Sequence, residues 1–328
     1  MEQSSAQDFH KLSHRAHERG YDSEESARLA RTWTRADTVD GWRHARMYRT
    51  LDPLLAARPG ARWITVGDGR YGTDAHYLGA HGAAALATDI SDTMLKRARD
   101  EGFIRDFRQE NAEHLSFADG AFDFGLCKEA YHHFPRPMLA LYELLRVARQ
   151  GVVLIEPDET PILMRPRQVL KMWIKDALLR LGLGRRFGDR STEIIDCGVN
   201  WYEEVGNFGY SISRREMERV ALGLNLPHVA FLGINDAYVR GVEDEPATED
   251  SALFRRIREE IAILDRQCRR GFSRSRPKLL VTMIFKEALD PALRAALLAA
   301  GYAVRDLPRN PYLGGPSPRP DEDARKSE

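Results

Sequence analysis

Two stretches of this 328-residue chain combine residue types and spacing suited to chemistry. The first is Gly67-Asp68-Gly69-Arg70-Tyr71-Gly72, which follows the apolar run Trp63–Val66 and reads as G-x-G-x-x-G. Glycine is needed where a chain turns tightly and its backbone must approach a ligand. Asp89 ends the next apolar run, about 20 residues on, where a carboxylate can accept hydrogen bonds from ribose hydroxyls. Such a nucleoside site serves either a dinucleotide, NAD(P), or S-adenosylmethionine (SAM), and these residues alone leave both open. The second stretch runs from Lys128 and Glu129 to His132 and His133. Histidine titrates near neutral pH and suits general-base work. Glu129 could orient such a histidine, and Lys128 could meet a carboxylate or an anionic substrate. Glu156 and Asp158 flank Pro157. They offer a base or a partner for a pair of sugar hydroxyls, and ordinary turn chemistry is their plainer reading.

These residues sit at the ends of a regular alternation. Short runs at 62–66, 84–90, 106–112, 122–130 and 151–159 read as strands, all but the polar 106–112 being largely apolar. Helices are expected between them at 73–81, after Ser91 as cap, and at 137–148. Strand and helix in alternation imply parallel strands with right-handed crossovers, hence an open doubly wound sheet. In such sheets ligands bind beyond the carboxyl ends of the strands, where all the residues named above fall. Past Thr160 the rhythm breaks. A helix is expected at 213–224, where Ser213 and Glu216 form a capping box, then a strand at 228–239 and a charged helix at 252–267. A strand at 278–286, a helix at 291–300 and a short strand or extended segment at 302–307 complete the order.

Composition sets the class. Lys+Arg and Asp+Glu number 49 each, with 43% hydrophobic residues, as in an ordinary soluble globular protein. No apolar run approaches the roughly 20 residues of a membrane helix, and the N-terminus has no apolar core of a secretory signal. Three scattered cysteines make neither a disulfide framework nor a zinc set, so a cytoplasmic protein without a metal is expected. Zero net charge argues against a nucleic-acid partner. The sum conceals asymmetry: residues 160–190 carry eight Lys/Arg against two Asp/Glu, and 266–286 carry seven against none. Residues 241–265 carry three against eight. A phosphate-bearing substrate, a membrane surface or a homodimer contact would each use such segments.

From Arg62 to Glu159 the chain resembles class I SAM-dependent methyltransferases of the "methyltransferase 11" kind. The segments that carry the resemblance are WITVGDGRYGTDA, ATDISDTMLKRA, NAEHLSFADGAFDFGLCKEAYHHF and LYELLRVARQGVVLIEP. The resemblance implies a Rossmann-like α/β fold: a doubly wound, mainly parallel, seven-stranded sheet. It implies a cofactor site formed by Gly67, Asp68, Gly69, Gly72, Asp89, Ile90, Met94, Asn111, Ala112, Glu113 and Lys128. Three positions depart from the pattern. Thr65 stands where an acidic residue is usual, Asn111 replaces Asp, and Ser116 replaces Pro. Asp68 is expected to take over the loop-bracing duty that Thr65 gives up.

The domains follow: an N-terminal helical lid over 1–58, the methyltransferase domain over 59–312 with a substrate-recognition insertion at about 160–210, and a disordered tail over 313–328. The expected reaction is O-methylation of a hydroxyl on a sugar, glycan or related polar metabolite. His132 or His133 is the expected base, aided by Glu129 or Asp158. Substrate contacts are expected from Arg43, Arg46, Glu156, Trp201, Tyr202, Asn207 and Tyr210. The rival readings are C- or N-methylation of an aromatic or lipid-like molecule, SAM binding without turnover, and an NAD(P)-dependent oxidoreductase.

Overall fold

The computed structural model describes residues 9–19, 24–158, 208–269 and 277–313. Three helices come first: α1 (Phe9–Glu18), α2 (Glu24–Thr32) and α3 (Val39–Tyr48), then the short α4 (Asp52–Ala57). The alternating part follows as β1 (Arg62–Val66), α5 (Thr73–Ala80), β2 (Ala84–Asp89), α6 (Thr93–Asp100), β3 (Asp106–Gln109), β4 (Phe122–Lys128), α7 (Pro137–Val147) and β5 (Ala148–Pro157). The remaining described elements are α8 (Arg214–Gly223), β6 (His228–Ile234), α9 (Ala252–Arg269), β7 (Leu279–Phe285), α10 (Pro291–Ala299) and β8 (Ala303–Asp306).

The strands form one sheet in the order β3-β2-β1-β4-β5-β7-β6-β8. Strands β1 to β5 pair in parallel, and β7 runs antiparallel to both β5 and β6. The order reverses between β1 and β4, so the loops that leave these two strands diverge and open a crevice at their carboxyl ends. β4 and β7 are buried along their whole length, as continuous apolar runs predict for strands covered on both faces. On one face Leu141, Leu144 and Leu145 of α7 pack with Met217 and Val220 of α8. On the other, Met47, Leu51 and Leu54 join Leu293 and Leu297 of α10.

Two expectations need correction. The sheet has eight strands, not seven. After α10 the chain reverses at Gly301 (φ 89°), Tyr302 is anchored by its hydroxyl donating to Thr50 O at 2.7 Å, and β8 runs back along β6. The short strand or extended segment expected at 302–307 is this edge strand, which the seven-strand count left out. Ser91 does not cap α6: Asp92 precedes that helix without a side-chain cap bond, and the Ser91 N–H donates instead to Asp89 Oδ1 at 2.8 Å. The Ser213 cap stands as expected, its hydroxyl accepting from Glu216 N at 3.2 Å.

Candidate active site

The glycine loop forms the floor of the crevice. Gly67 holds φ 75°, and a Cβ there would lie 2.3 Å from that of Ala130. A Cβ on Gly69 would lie 2.8 Å from the Asp89 carboxylate. The bare backbone therefore lets Gly69 N–H donate to Asp89 Oδ2 at 2.9 Å, while Ser91 N–H donates to Oδ1. Asp89 is held across the loop by amides from both sides, and burial pushes its carboxyl up to about 6. Gly72, at φ 68°, opens α5 against Ile104.

Asp68 is not a wall of the crevice. Its buried carboxylate accepts from Thr65 Oγ1 at 2.8 Å, from Ala75 N at 2.9 Å and from Asp74 N at 3.1 Å. It thus stitches β1 to the first turn of α5, the bracing duty expected of it, rather than contacting a cofactor. Burial and the neighbouring Asp74 charge push its carboxyl well above the usual range. Met94 also leaves the expected set: it is fully buried between Ala30, Tyr71 and Ala87. Its apolar side chain serves the α6 contact instead.

The crevice encloses about 360 Å³. Gly67, Asp89, Ile90, Asn111, Ala112, Glu113, Lys128, Glu129 and His133 all line it, so the structure brings together nine of the expected residues. Asn111 and Glu113 also hold their own turn. Asn111 Oδ1 accepts from Glu113 N at 3.0 Å, and Glu113 accepts from the Arg136 main chain at 2.6 Å and its Nε at 2.8 Å. Burial raises the Glu113 carboxyl, but hydrogen bonds from His14 and Arg136 outweigh it and leave it below its ordinary value. The further lining residues, which were not expected, include His14, His17, Trp33, Arg70 and Phe134. His14, His17 and Trp33 stand on or just after α1 and α2, which close one side of the crevice. A larger concavity of about 890 Å³ lies at the opposite, amino ends of β1 to β3, around Arg62, Ala84 and Asp106. It is remote from every candidate residue, so the chemistry is assigned to the smaller space.

Beyond β4 the wall is ionic. Lys128 Nζ is buried 3.4 Å from Asp74 Oδ1, 3.2 Å from His44 Nδ1 and 3.9 Å from Glu129 Oε2. Burial and then the Lys128 charge hold the His44 imidazole well below its usual range, so it is neutral. Glu129 adopts φ 50°, a left-handed backbone that a glutamate seldom takes outside functional sites. Glu156, at the end of β5, has no exposed surface. Its Oε1 accepts from the N–H groups of Ala130 (2.9 Å) and Tyr131 (3.0 Å), and Oε2 lies 2.7 Å from His132 Nδ1. A sealed carboxylate cannot touch a substrate, so its expected binding role is replaced by that of a brace. His132 stands behind His133, ring centroids 4.0 Å apart. Asp158 bridges to Ile212 through its backbone, and its amide donates to Lys278 O at 3.0 Å. Tyr210 lies beside this turn, its N–H donating to His132 O at 3.4 Å.

Arg43 and Arg46 do not reach the crevice. Arg43 is buried between Asp40 (2.8 Å) and Asp236, to which it makes two bonds, and Arg46 donates to Asn235 O at 2.9 Å. Both guanidinium groups fasten α3 to the loop after β6, because a buried arginine needs carboxylate or carbonyl partners. The remaining expected contacts, Trp201, Tyr202 and Asn207, lie outside the described residues, as do most of the 160–210 insertion and the tail. No helix among the described residues is long and apolar enough to cross a membrane.

Comparison with known proteins follows from this geometry. Residues 64–155 match the family model described as "Methyltransferase domain". No curated protein matches the chain. Solved structures similar to it include magnesium protoporphyrin IX methyltransferase from Synechocystis PCC 6803 with bound S-adenosylhomocysteine (SAH). It is 14% identical, with a TM-score of 0.44, over 81% of this chain and 97% of that one. A protein from Thermotoga maritima described as a possible histamine N-methyltransferase is also 14% identical (TM-score 0.44), over 84% and 99%. A SAM-dependent methyltransferase from Methanosarcina mazei is 14% identical (TM-score 0.41), over 72% and 98%. The family match spans the glycine loop, Asp89, the β4 turn and β5, and it decides between the two cofactors that the loop left open. Residues 64–155 therefore form a methyltransferase domain, and SAM is its cofactor.

Proposed function

We propose that the protein O-methylates a hydroxyl of a sugar or related polar metabolite, with a histidine of the turn after β4 as general base. When bound, SAM supplies an electrophilic methyl group whose bonding electrons stay on sulfur. Gly67 and Gly69 would give it a backbone wall. Asp89 would accept from the ribose, and Ile90, Asn111 and Ala112 would border the adenine. A hydroxyl must lose its proton as it gains a methyl group, so a base within reach is required. The observation that carries this reading is His133, which lines the same crevice as Gly67 and Asp89. Lys128, Glu129 and Arg70 on the same walls favour a polar acceptor over an apolar one.

The test uses SAM labelled with carbon-13 in its methyl group, incubated with the protein and a metabolite extract. The expected product shows the carbon-13 shift of a methyl ether. A label found on nitrogen or carbon overturns the reading. In the double variant His132→Ala/His133→Ala, turnover should fall by about 100-fold or more with SAH affinity retained.

A further inference from the structure

We infer that the corner formed by the end of α8 and the chain that follows β8 is a docking surface for an anionic lipid bilayer. Leu307 N donates to Pro227 O and Asn310 N to Asn225 Oδ1, each at 2.8 Å, so the two segments lie side by side. The chain then turns, with Tyr312 N donating to Asn310 Oδ1 at 2.9 Å and Leu313 N to Asn310 O at 3.2 Å. Beside the Asn225–Asn310 bond stand Leu222, Leu224, Tyr312 and Leu313, exposed to 40%, 41%, 84% and 67%. Large apolar side chains are stabilised by leaving water, so four of them exposed at one corner mark a surface that a partner covers.

Charge selects the partner. Residues 219–227 and 307–313 contain Arg219 and Arg309 and no Asp or Glu. Both arginines are exposed and meet no carboxylate among the described residues. The acids that flank these segments are already engaged: Glu218 with Arg305 at 3.0 Å, and Asp306 with Arg294 and His228. Apolar insertion and attraction of basic residues to anionic headgroups are the two signals that together hold a protein on a bilayer. A second copy of this chain fits worse, because a two-fold contact would bring the unpaired arginines of both copies together with no acid between them. The shape agrees. Tyr312 and Leu313 project from a turn, and a tyrosine has an apolar ring and a polar tip suited to the headgroup level. β6 runs antiparallel to β7, which runs antiparallel to β5, so the start of β6 and the end of β8 lie at the amino ends of the parallel strands. Docking at this corner leaves the cofactor crevice, at the carboxyl ends, facing away from the bilayer.

The experiment is sedimentation of the full chain with sucrose-loaded vesicles of phosphatidylcholine, with and without about 30% phosphatidylglycerol. The anionic vesicles should carry down about tenfold more protein than the neutral ones, and raising salt from about 0.05 to about 0.5 M should release it. Two surface variants separate the two signals. Tyr312→Ser/Leu313→Ser removes the projecting apolar pair, and Arg219→Ala/Arg309→Ala removes the unpaired charges. Each should lower vesicle binding about tenfold while SAH binding, which reports the fold, stays as in the unsubstituted chain. SAH affinity should also be the same with and without vesicles. Equal binding to neutral and anionic vesicles, no binding to either, or binding unchanged in either variant overturns the proposal. A concentration-dependent dimer that Tyr312→Ser/Leu313→Ser abolishes would give the corner to a second copy and overturn it as well. Loss of SAH binding on vesicles would place the crevice against the bilayer and overturn the orientation.

Discussion

Two carboxylates occupy matching places on either side of the crevice. Asp89 ends β2 and reaches across to Gly69 in the loop after the adjacent strand, β1. Glu156 ends β5 and reaches across to Ala130 and Tyr131 in the loop after the adjacent strand, β4. Both therefore tie a strand end to its neighbour's loop through backbone amides. They differ in what else they face. Asp89 lines the crevice, and its burial is a net cost to the charged form, as its raised titration shows. Glu156 has no exposed surface and spends its remaining oxygen on an imidazole. The same device thus serves a ligand on one side and a side chain on the other. Both carboxylates have each oxygen bonded, and what separates them is that Asp89 keeps a face on the crevice whereas Glu156 is turned wholly inward.

If this contrast is right, the two carboxylates should fail differently. Glu156→Ala should be the more damaging to the fold. It leaves two buried amides without their acceptor, and urea unfolding should show a loss of about 3 kcal/mol or more. Asp89→Ala also leaves two amides without their acceptor but removes a charge that burial disfavours, so its stability loss should be the smaller, with SAH weakened by about 100-fold in calorimetry. Equal stability losses in the two variants would erase the distinction.

A smaller effect should appear with pH. Asp89 must be ionised to accept from ribose, so SAH affinity should fall about tenfold between pH 7.5 and pH 5, through the value of about 6. The stability contribution of the free protein has the opposite sign. The folded-state value lies above the unfolded one of about 4. Between the two, the native state holds a proton that the unfolded chain has released, and this group's contribution rises as pH falls. Asp89→Ala should flatten both dependences, whereas Glu156→Gln should leave them in place. The smallest change is expected at the helical side of the crevice. His14 lies 3.5 Å from Glu113, and His14→Ala should weaken SAH by about twofold.

What the sequence disclosed follows the same division. The crevice positions of Gly67, Asp89, Ala112 and His133 were legible because each lies within a few residues of a strand end, and strand ends can be read from the alternation of strands and helices. The role of Glu156 was not, because its partners lie 24 to 26 residues away and meet it only through the β4–β5 register. A carboxylate closing a buried strand beside a histidine turn was the available signal. Arg43 was misassigned for a longer-range reason: its partner Asp236 is 193 residues distant. Residues 1–58 read as a helical lid, but their pattern did not say which side chains would face the crevice, so His14, His17 and Trp33 went unnoticed as its walls. β8 was legible as a short strand or extended segment at 302–307, but four half-polar residues give no periodicity that would add it to the sheet count.

Calorimetric titration of the unsubstituted chain and of Asp89→Ala, each with SAH and with NAD, bears most directly on the crevice as the cofactor site. One SAH per chain should bind the unsubstituted protein, NAD should not, and Asp89→Ala should weaken SAH by about 100-fold while remaining folded. NAD binding in place of SAH, or full SAH affinity in a folded Asp89→Ala, would contradict it.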